Sequence, residues 1–170
     1  MYKLKTNDKA PEFKLKATDD KTYSLDDFKK PLVVFFTCNH CPYTRAYDDR
    51  VNELVDKYPQ ISFVGINSND SDNYPEDGFE EMKKRKDTKF VYLRDDTQEV
   101  ARSFGGVCTP HFFLFDKDLK LKYQGRLDDD WKAENISKKE LEDAIKSLLE
   151  GKNPKIQTTN TIGCSIKWKP

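Results

Sequence analysis

Residues 32–43 read Leu32-Val33-Val34-Phe35-Phe36-Thr37-Cys38-Asn39-His40-Cys41-Pro42-Tyr43, and this stretch decides the fold. Its first five residues are all β-branched, leucine or aromatic, a pattern that predicts a strand buried on both faces. From Pro42 onward, apolar residues follow helical spacing and stop before Pro59; they are Tyr43, Tyr47, Val51, Leu54, Val55 and Tyr58. Two cysteines three positions apart therefore lie at a strand-to-helix junction, a location typical of a redox-active dithiol.

The position of this pair predicts a role for each cysteine. We expect Cys38 to lie at the helix start, where the partial positive charge of the helix ionises it, and to be the more exposed thiol. Its thiolate would attack a substrate disulfide, and Cys41, one turn further on, would resolve the mixed disulfide. Asn39 and His40 would tune the redox potential, since a protonated imidazole beside Cys38 stabilises the thiolate. The alternative is that His40 only faces solvent.

Composition limits the classes of function. The chain has 170 residues, enough for one domain over 1–170, and the last part, 152–170, forms a tail without a clear pattern. Thirty basic residues balance thirty acidic ones, so no net field favours nucleic acid or an anionic membrane. The N-terminus lacks the apolar segment of a secretory signal, and no apolar run approaches the roughly 20 residues of a membrane span. We therefore expect a cytoplasmic protein, in which paired cysteines are more often catalytic or metal-binding than structural.

The remaining pattern alternates strands with helices. A β-hairpin is predicted over 12–25, and Ser137, with Glu140 in a capping box, is predicted to start a last helix that runs to Leu149. Between them, the sequence predicts strands at 61–66 and 90–93, helices at 77–85 and 97–104, and a hairpin over 112–123. This order describes an α/β sandwich with a mixed sheet.

Four stretches resemble the thioredoxin-like redoxin family, the proteins grouped with alkyl hydroperoxide reductase and thiol-specific antioxidant proteins, in its CxxC-containing subgroup. They are residues 10–13 (APEF), 36–43 (FTCNHCPY), 107–111 (VCTPH) and 163–169 (GCSIKWK). The resemblance implies a three-layer α/β sandwich with a mixed central sheet and an N-terminal β-hairpin. It also implies that Thr109-Pro110 is a cis-proline loop. The backbone of Thr109 would then bind an extended substrate segment by β-like pairing.

The other two cysteines leave alternatives open. Cys108 and Cys164 are auxiliary redox candidates, which would pass electrons between the tail and the dithiol. They could instead form a structural disulfide, or simply be two reduced cysteines, one in the core and one on a docked tail. Cys38, Cys41, Cys108 and His111 would also suit tetrahedral zinc, although the proline between the last two disfavours that set, and we predict no metal.

The function that we predict is thiol–disulfide exchange by Cys38 and Cys41, without a cofactor. Its partners would be protein or low-molecular-weight disulfides and an unidentified thiol electron donor. One alternative is a thiol-dependent peroxidase, but Phe35 stands where peroxiredoxins have Thr or Ser, three residues before the cysteine. Another is a non-enzymatic binding or zinc-binding module. Leu32 stands where thioredoxin has its buried acid, so the proton acceptor for Cys41 is predicted to be His40, a water or another acid.

Overall fold

The computed structural model describes all residues, 1–170, and has nine strands and four α-helices. The strands are β1 (Lys14–Ala17), β2 (Thr22–Ser24), β3 (Leu32–Phe36), β4 (Ser62–Asn67), β5 (Val91–Arg94), β6 (Cys108–Thr109), β7 (His111–Phe115), β8 (Leu121–Gly125) and β9 (Cys164–Ser165). The helices are α1 (Pro42–Lys57), α2 (Phe79–Lys84), α3 (Glu99–Phe104) and α4 (Glu140–Leu149). No helix is both long enough and apolar enough to cross a membrane.

Seven strands form one mixed sheet in the order β2-β1-β5-β4-β3-β7-β8. The strand β3 lies inside the sheet, parallel to β4 on one side and antiparallel to β7 on the other. Its register pairs Phe36 with Ile66 of β4 and with His111 of β7, so the chain leaves β3 beside the loop that precedes β7. The predicted mixed sheet and the N-terminal hairpin of β1 and β2 are confirmed.

Alternate side chains of β3 enter two separate cores, which is why every residue of this strand is apolar. On one face, Phe36 packs edge-on against Phe104 of α3, with ring centroids 5.6 Å apart. On the other face, Val33 and Phe35 join a cluster that includes residues of α1 and α4. Helices therefore cover both faces of the sheet, and the predicted three-layer thioredoxin-like sandwich is confirmed.

The predicted start of the last helix is wrong. Helix α4 begins at Glu140, two residues later than expected, because its N-cap is Lys139 rather than Ser137. Asp129 explains the difference, because its carboxylate accepts hydrogen bonds from the backbone N–H groups of Ser137 and Lys138 and from the Ser137 hydroxyl. The Ser137 side chain is therefore bound to another loop and does not cap the helix.

The tail over 152–170 is held against the sheet at both of its ends. The Thr159 N–H donates to the carbonyl of Gln124 in β8, at 3.0 Å. Further along, the Ile166 side chain is 3% exposed and belongs to the core on the α3 face. The carbonyl of Lys167 accepts a hydrogen bond of 2.8 Å from the Asp70 N–H. These contacts fix the segment between them, which contains Cys164.

Candidate functional site

The two cysteines of the CxxC motif meet the loop that contains Pro110. The peptide bond between Thr109 and Pro110 is cis, as the resemblance implied. The sulfur of Cys38 lies 3.5 Å from Oγ1 of Thr109, and the sulfur of Cys41 lies 3.7 Å from the carbonyl oxygen of Thr109. Both thiols are free. The fold thus brings together the dithiol and the proline loop, which are about 70 residues apart in the sequence.

The start of the helix corrects the predicted geometry of the pair. Helix α1 begins at Pro42, so its N-cap is Cys41 and not Cys38. A proline fits the first helical position, where its fixed φ suits the helix and its missing N–H is not needed. Cys38 is 0% exposed and Cys41 is 1% exposed. The expectation that Cys38 occupies the helix start and is the more exposed thiol is therefore wrong.

The pKa of Cys41 is lowered and that of Cys38 is raised, mainly by the interaction between the two thiols. A hydrogen bond from the Cys38 thiol lowers the pKa of Cys41 to about 4, against the opposing effect of burial. The Cys164 thiol, the Thr44 N–H and Thr109 lower this pKa further. The same pairing with Cys41, together with burial, raises the pKa of Cys38. The partial positive charge at the N-terminus of a 16-residue helix favours the same assignment.

Thr44 is a site residue that the sequence analysis did not identify. It lies in the first turn of α1 and is 1% exposed. Its hydroxyl donates to the carbonyl of Cys41, at 2.9 Å, and its Oγ1 lies 3.6 Å from the sulfur of Cys38. Thr44 thus connects the first turn of α1 to the sulfur of Cys38.

A buried acid lies beside Cys38, although it does not precede the dithiol in the sequence as in thioredoxin. It is Asp77, which is 0% exposed and ends a short 3-10 helix at Pro75–Asp77. Its Oδ1 accepts from the Asn39 N–H at 2.6 Å and from the Asn67 amide at 3.1 Å, and its Oδ2 accepts from the Asn69 amide at 3.0 Å. The charge of Asp77 is among the causes that raise the pKa of Cys38. Sequence reasoning could not place this acid, because only the fold brings its loop to the dithiol.

The two residues between the cysteines are directed at the Asp77 segment. The Nδ1 atom of His40 lies 2.5 Å from Oδ2 of Asp77, and its ring stacks on Tyr74 at 5.7 Å. The Asn39 side chain accepts a hydrogen bond from the Tyr92 hydroxyl at 2.9 Å. His40 is therefore not merely a solvent-facing side chain. That it and Asn39 tune the redox potential stays a prediction.

The Cys₃His set, which the sequence offered only as a disfavoured alternative, is not among the clusters of metal-ligating atoms. His111 is fully buried in β7, where its ring stacks on Phe113 at 4.2 Å and its Nδ1 accepts from the Val107 N–H. Burial lowers the pKa of His111 to about 3, so the ring is neutral. The cluster with metal-ligating atoms is instead Cys38, His40 and Asp77, whose ligand atoms lie within 4.8 Å of one another. Because both Asp77 oxygens already accept hydrogen bonds, we interpret this cluster as a proton-binding network.

The strand pairing decides how Cys108 and Cys164 are related. Strands β6 and β9 are antiparallel, with Cys108 opposite Ser165 and Thr109 opposite Cys164. Directly opposed residues share a face and successive residues alternate, so Cys108 and Cys164 point to opposite faces. Both thiols are free, with Cys108 buried and Cys164 partly exposed. A Cys108–Cys164 disulfide is therefore wrong in this register, whereas an auxiliary redox role for either cysteine stays a prediction.

The sequence and the fold of this chain are similar to those of known proteins. The chain is 26% identical to the thiol-disulfide oxidoreductase ResA of Bacillus thuringiensis subsp. konkukian over 86% of this chain and 80% of that protein. It resembles the crystal structure of an uncharacterized conserved protein from Geobacillus kaustophilus, with a TM-score of 0.92 and 40% identity over 100% of this chain and 94% of that one.

A more distant structure shares the fold alone. The exposed lipoprotein thioredoxin Etrx1 of Streptococcus pneumoniae superposes with a TM-score of 0.59 at 18% identity, over 72% of this chain and 94% of that one. The family model for Redoxin matches residues 5–145, a region that holds the dithiol, Asp77 and the cis-proline loop. With the fold, the site and this match in agreement, the chain belongs to the Redoxin family.

Proposed function

We propose that this protein is a thiol–disulfide oxidoreductase, which uses Cys38 and Cys41 to reduce disulfides of proteins or small molecules. The observation that carries the proposal is the convergence of two free cysteines on Thr109 at the N-terminus of α1. The likeness to ResA, whose name describes the same class of reaction, supports it. The reaction needs no organic cofactor, because two thiols supply both electrons.

Attack on the substrate is the first step. In the reduced protein the thiolate is on Cys41, and it attacks one sulfur of the substrate disulfide, whose other sulfur leaves as a thiolate. The product is a mixed disulfide between Cys41 and the substrate. This order reverses the roles that the sequence predicted, because the helix N-cap, the Cys38 hydrogen bond and the Thr44 N–H all favour charge on Cys41.

Release of the reduced substrate is the second step. The Cys38 thiol loses its proton and attacks the sulfur of Cys41, which forms the Cys38–Cys41 disulfide and expels the second substrate thiolate. The proton needs an acceptor close to Cys38. An imidazole nitrogen of His40 and a carboxylate oxygen of Asp77 lie within 4.8 Å of its sulfur. We assign this pair as the acceptor.

An external thiol would return the oxidised pair to the dithiol. The cytoplasmic location predicted from the sequence remains part of this proposal, since a reducing compartment supplies such thiols. Pull-down of a trapped mixed disulfide would identify the substrate.

Redox equilibration tests the proposal. The wild-type protein is incubated in glutathione buffers of graded potential, quenched in acid, alkylated and digested with trypsin. Cys38 and Cys41 both lie in the tryptic peptide 30–45, so we expect that peptide to lose two alkylation sites together as the buffer becomes oxidising. Matched Cys38→Ser and Cys41→Ser variants assign the roles; both are made with Cys164→Ser, so that no third thiol can resolve an adduct, and a stable mixed disulfide should form on the former.

Two results would contradict the proposal. If the peptide 30–45 keeps both alkylation sites under strongly oxidising conditions, the pair does not cycle and the function fails. If only Cys41→Ser accumulates a mixed disulfide, Cys38 is the attacking thiol and the sequence-based order of roles is the right one. Consumption of hydrogen peroxide much faster than of disulfides would favour the peroxidase alternative.

A further inference from the structure

We propose that Cys164 is a third redox-active cysteine, which forms a disulfide with Cys41 and through it receives electrons from an external thiol. This inference rests on the proposed function, because it assigns the regeneration step of the same site. It concerns the strand β9, in the part of the chain that lies beyond the family match.

The register of the tail directs Cys164 toward the dithiol. Cys164 is directly opposite Thr109, so both side chains lie on the same face of the β6–β9 ladder. That face is the one on which Oγ1 of Thr109 contacts the sulfur of Cys38. The Thr109 carbonyl contacts the sulfur of Cys41. Cys164 thus occupies the place beside the proline loop where the sequence analysis expected a segment of the substrate.

A glycine permits this close approach of the tail. A Cβ atom on Gly163 would lie 2.2 Å from the carbonyl oxygen of Thr109 and 2.7 Å from its carbonyl carbon, distances that side chains do not tolerate. On the other side of Cys164, the Lys167 N–H donates to the Asn69 side chain at 2.9 Å. Contacts on both sides of Cys164 therefore hold it next to the proline loop.

The charges of the three thiols agree with this placement. The Cys164 thiol is among the groups that lower the pKa of Cys41. Burial, and then the interaction with Cys41, raises the pKa of Cys164 to about 11. Two protonated thiols thus share one thiolate between them. Of the four cysteines, Cys164 is the only one that is not fully buried.

The first step is an exchange within the oxidised protein. Cys164 gives up its proton, and its sulfur attacks the Cys41 sulfur of the Cys38–Cys41 disulfide. The Cys41–Cys164 bond forms, the Cys38–Cys41 bond breaks, and the electron pair of the broken bond goes to Cys38, which takes up a proton. No electrons are gained or lost, since one disulfide replaces another. Burial and the charge of Asp77, which raise the pKa of Cys38 without involving Cys41, favour its protonated state as the product.

The second step brings in the reductant, an external thiol of low molecular weight. Its thiolate attacks the sulfur of Cys164, which restores the Cys41 thiolate and leaves a mixed disulfide on Cys164. A second thiol attacks that mixed disulfide, giving an oxidised dimer of the reductant and the Cys164 thiol. Two external thiols have then reduced one protein disulfide. In this route the external thiol attacks Cys164, which is the partly exposed cysteine.

Peptide mapping of the Cys38→Ser protein tests the inference. The protein is treated with oxidised glutathione, quenched in acid, alkylated and digested with trypsin under non-reducing conditions. The remaining cysteines fall in three separate peptides, 30–45, 103–117 and 156–167. We expect 30–45 linked to 156–167 as the main product, because a tethered thiol competes with glutathione at an effective concentration on the order of millimolar. Cys38→Ala, run in parallel, guards against a folding defect of the serine variant.

Two double variants are the matched controls. Cys38→Ser with Cys164→Ser should lose the link and keep the glutathione adduct on Cys41, whereas Cys38→Ser with Cys108→Ser should keep the link. The inference is overturned if 30–45 is found only as a glutathione adduct, or linked to 103–117.

Kinetics separates failure of this inference from failure of the proposed function. The first reduction of a disulfide substrate by pre-reduced protein needs only the dithiol, so it should still occur in Cys164→Ser. Repeated turnover with an external thiol should be slower in Cys164→Ser. Equal turnover would refute the role of Cys164 and leave the dithiol chemistry intact, whereas loss of the first reduction in wild type would refute the proposed function.

Discussion

Replacing Asp77 with asparagine removes a buried negative charge beside the dithiol and keeps the shape of the side chain. A carboxylate oxygen of Asp77 lies within 4.8 Å of the sulfur of Cys38. At that distance and an effective dielectric constant of about 20, two unit charges interact with about 3.5 kcal/mol, which corresponds to about 2.5 pH units in a pKa. We therefore expect Asp77→Asn to lower the pKa of Cys38 by about 2 pH units.

The measurement requires a variant in which the pKa of Cys38 falls within the pH range where the protein can be titrated. Cys41 is the largest cause of the raised pKa of Cys38, so the comparison is made in Cys41→Ser protein. Selective ¹³C labelling of the cysteine Cβ atoms reports ionisation by NMR at each residue, whether or not the sulfur is exposed. The midpoint for Cys38 is compared between Cys41→Ser and Cys41→Ser with Asp77→Asn.

Glu76→Gln is the matched control for this experiment. Glu76 is the neighbouring acid, its side chain is 49% exposed, and its carboxylate lies 3.9 Å from His40. Because solvent screens an exposed charge, this variant should leave the midpoint of Cys38 almost unchanged. Equal midpoints with and without Asp77→Asn would refute the assignment of Asp77 as the acid that acts on Cys38, provided that urea unfolding shows both proteins to be folded.

Three further predictions concern the tail and the core, and urea unfolding of the reduced protein measures each of them. Gly163→Ala should cost about 1–3 kcal/mol and reduce the yield of the Cys41–Cys164 link, because the new Cβ would collide with the carbonyl of the proline loop at 2.2 Å. The control Gly78→Ala, whose nearest neighbour would be at 3.2 Å, should cost less, and an equal cost would contradict the close seating of the tail. Ile166→Ala should cost about 3 kcal/mol because the side chain is 3% exposed, whereas Ile156→Ala, at 49% exposed, should stay within about 0.5 kcal/mol; similar losses would mean that the tail is not docked. Burial lowers the pKa of His111 from 6.5 to about 3. As the pH drops from 6.5 toward 3, the His111 ring therefore takes up a proton in the unfolded state but not in the folded state. The free energy of unfolding should then fall by about 1.4 kcal/mol per pH unit. His111→Phe should remove that part of the slope, and an unchanged slope would show that the ring is not held neutral.

The central strand and the helix that follows it could be predicted from local pattern. The strand 32–36 and the helix from Pro42 match β3 and α1, because a continuous apolar run and a 3.6-residue repeat are signals contained within a short window. The start of α4 could not be predicted in the same way. The sequence around Ser137 and Glu140 reads as a capping box, but Asp129, eight residues before Ser137, binds that serine and its backbone instead.

The candidate site was predicted in its chemistry and only partly in its geometry. The dithiol and Thr109-Pro110 were found because both motifs are local, and the resemblance to a known family placed them together. The sequence did not predict that both thiols are buried, or that the pKa of Cys41 is the lowered one. This pKa depends on where the helix begins and on Thr44 and Cys164, one of which is more than 120 residues away in the chain.

The sequence by itself determined the order of strands and helices, the position of the CxxC pair at the end of a buried strand, and the class of chemistry that two such cysteines support. Each follows from the spacing of neighbouring residues, and spacing along a chain is visible without a fold. Tertiary structure alone decided that Asp77 is the buried acid, that Cys41 is the N-cap of the helix, and that the side chain of Cys164, rather than that of Cys108, shares a face with Thr109. The physical reason is that burial, hydrogen bonding and charge act through space over a few ångströms, between segments whose separation in the sequence carries no information about that distance.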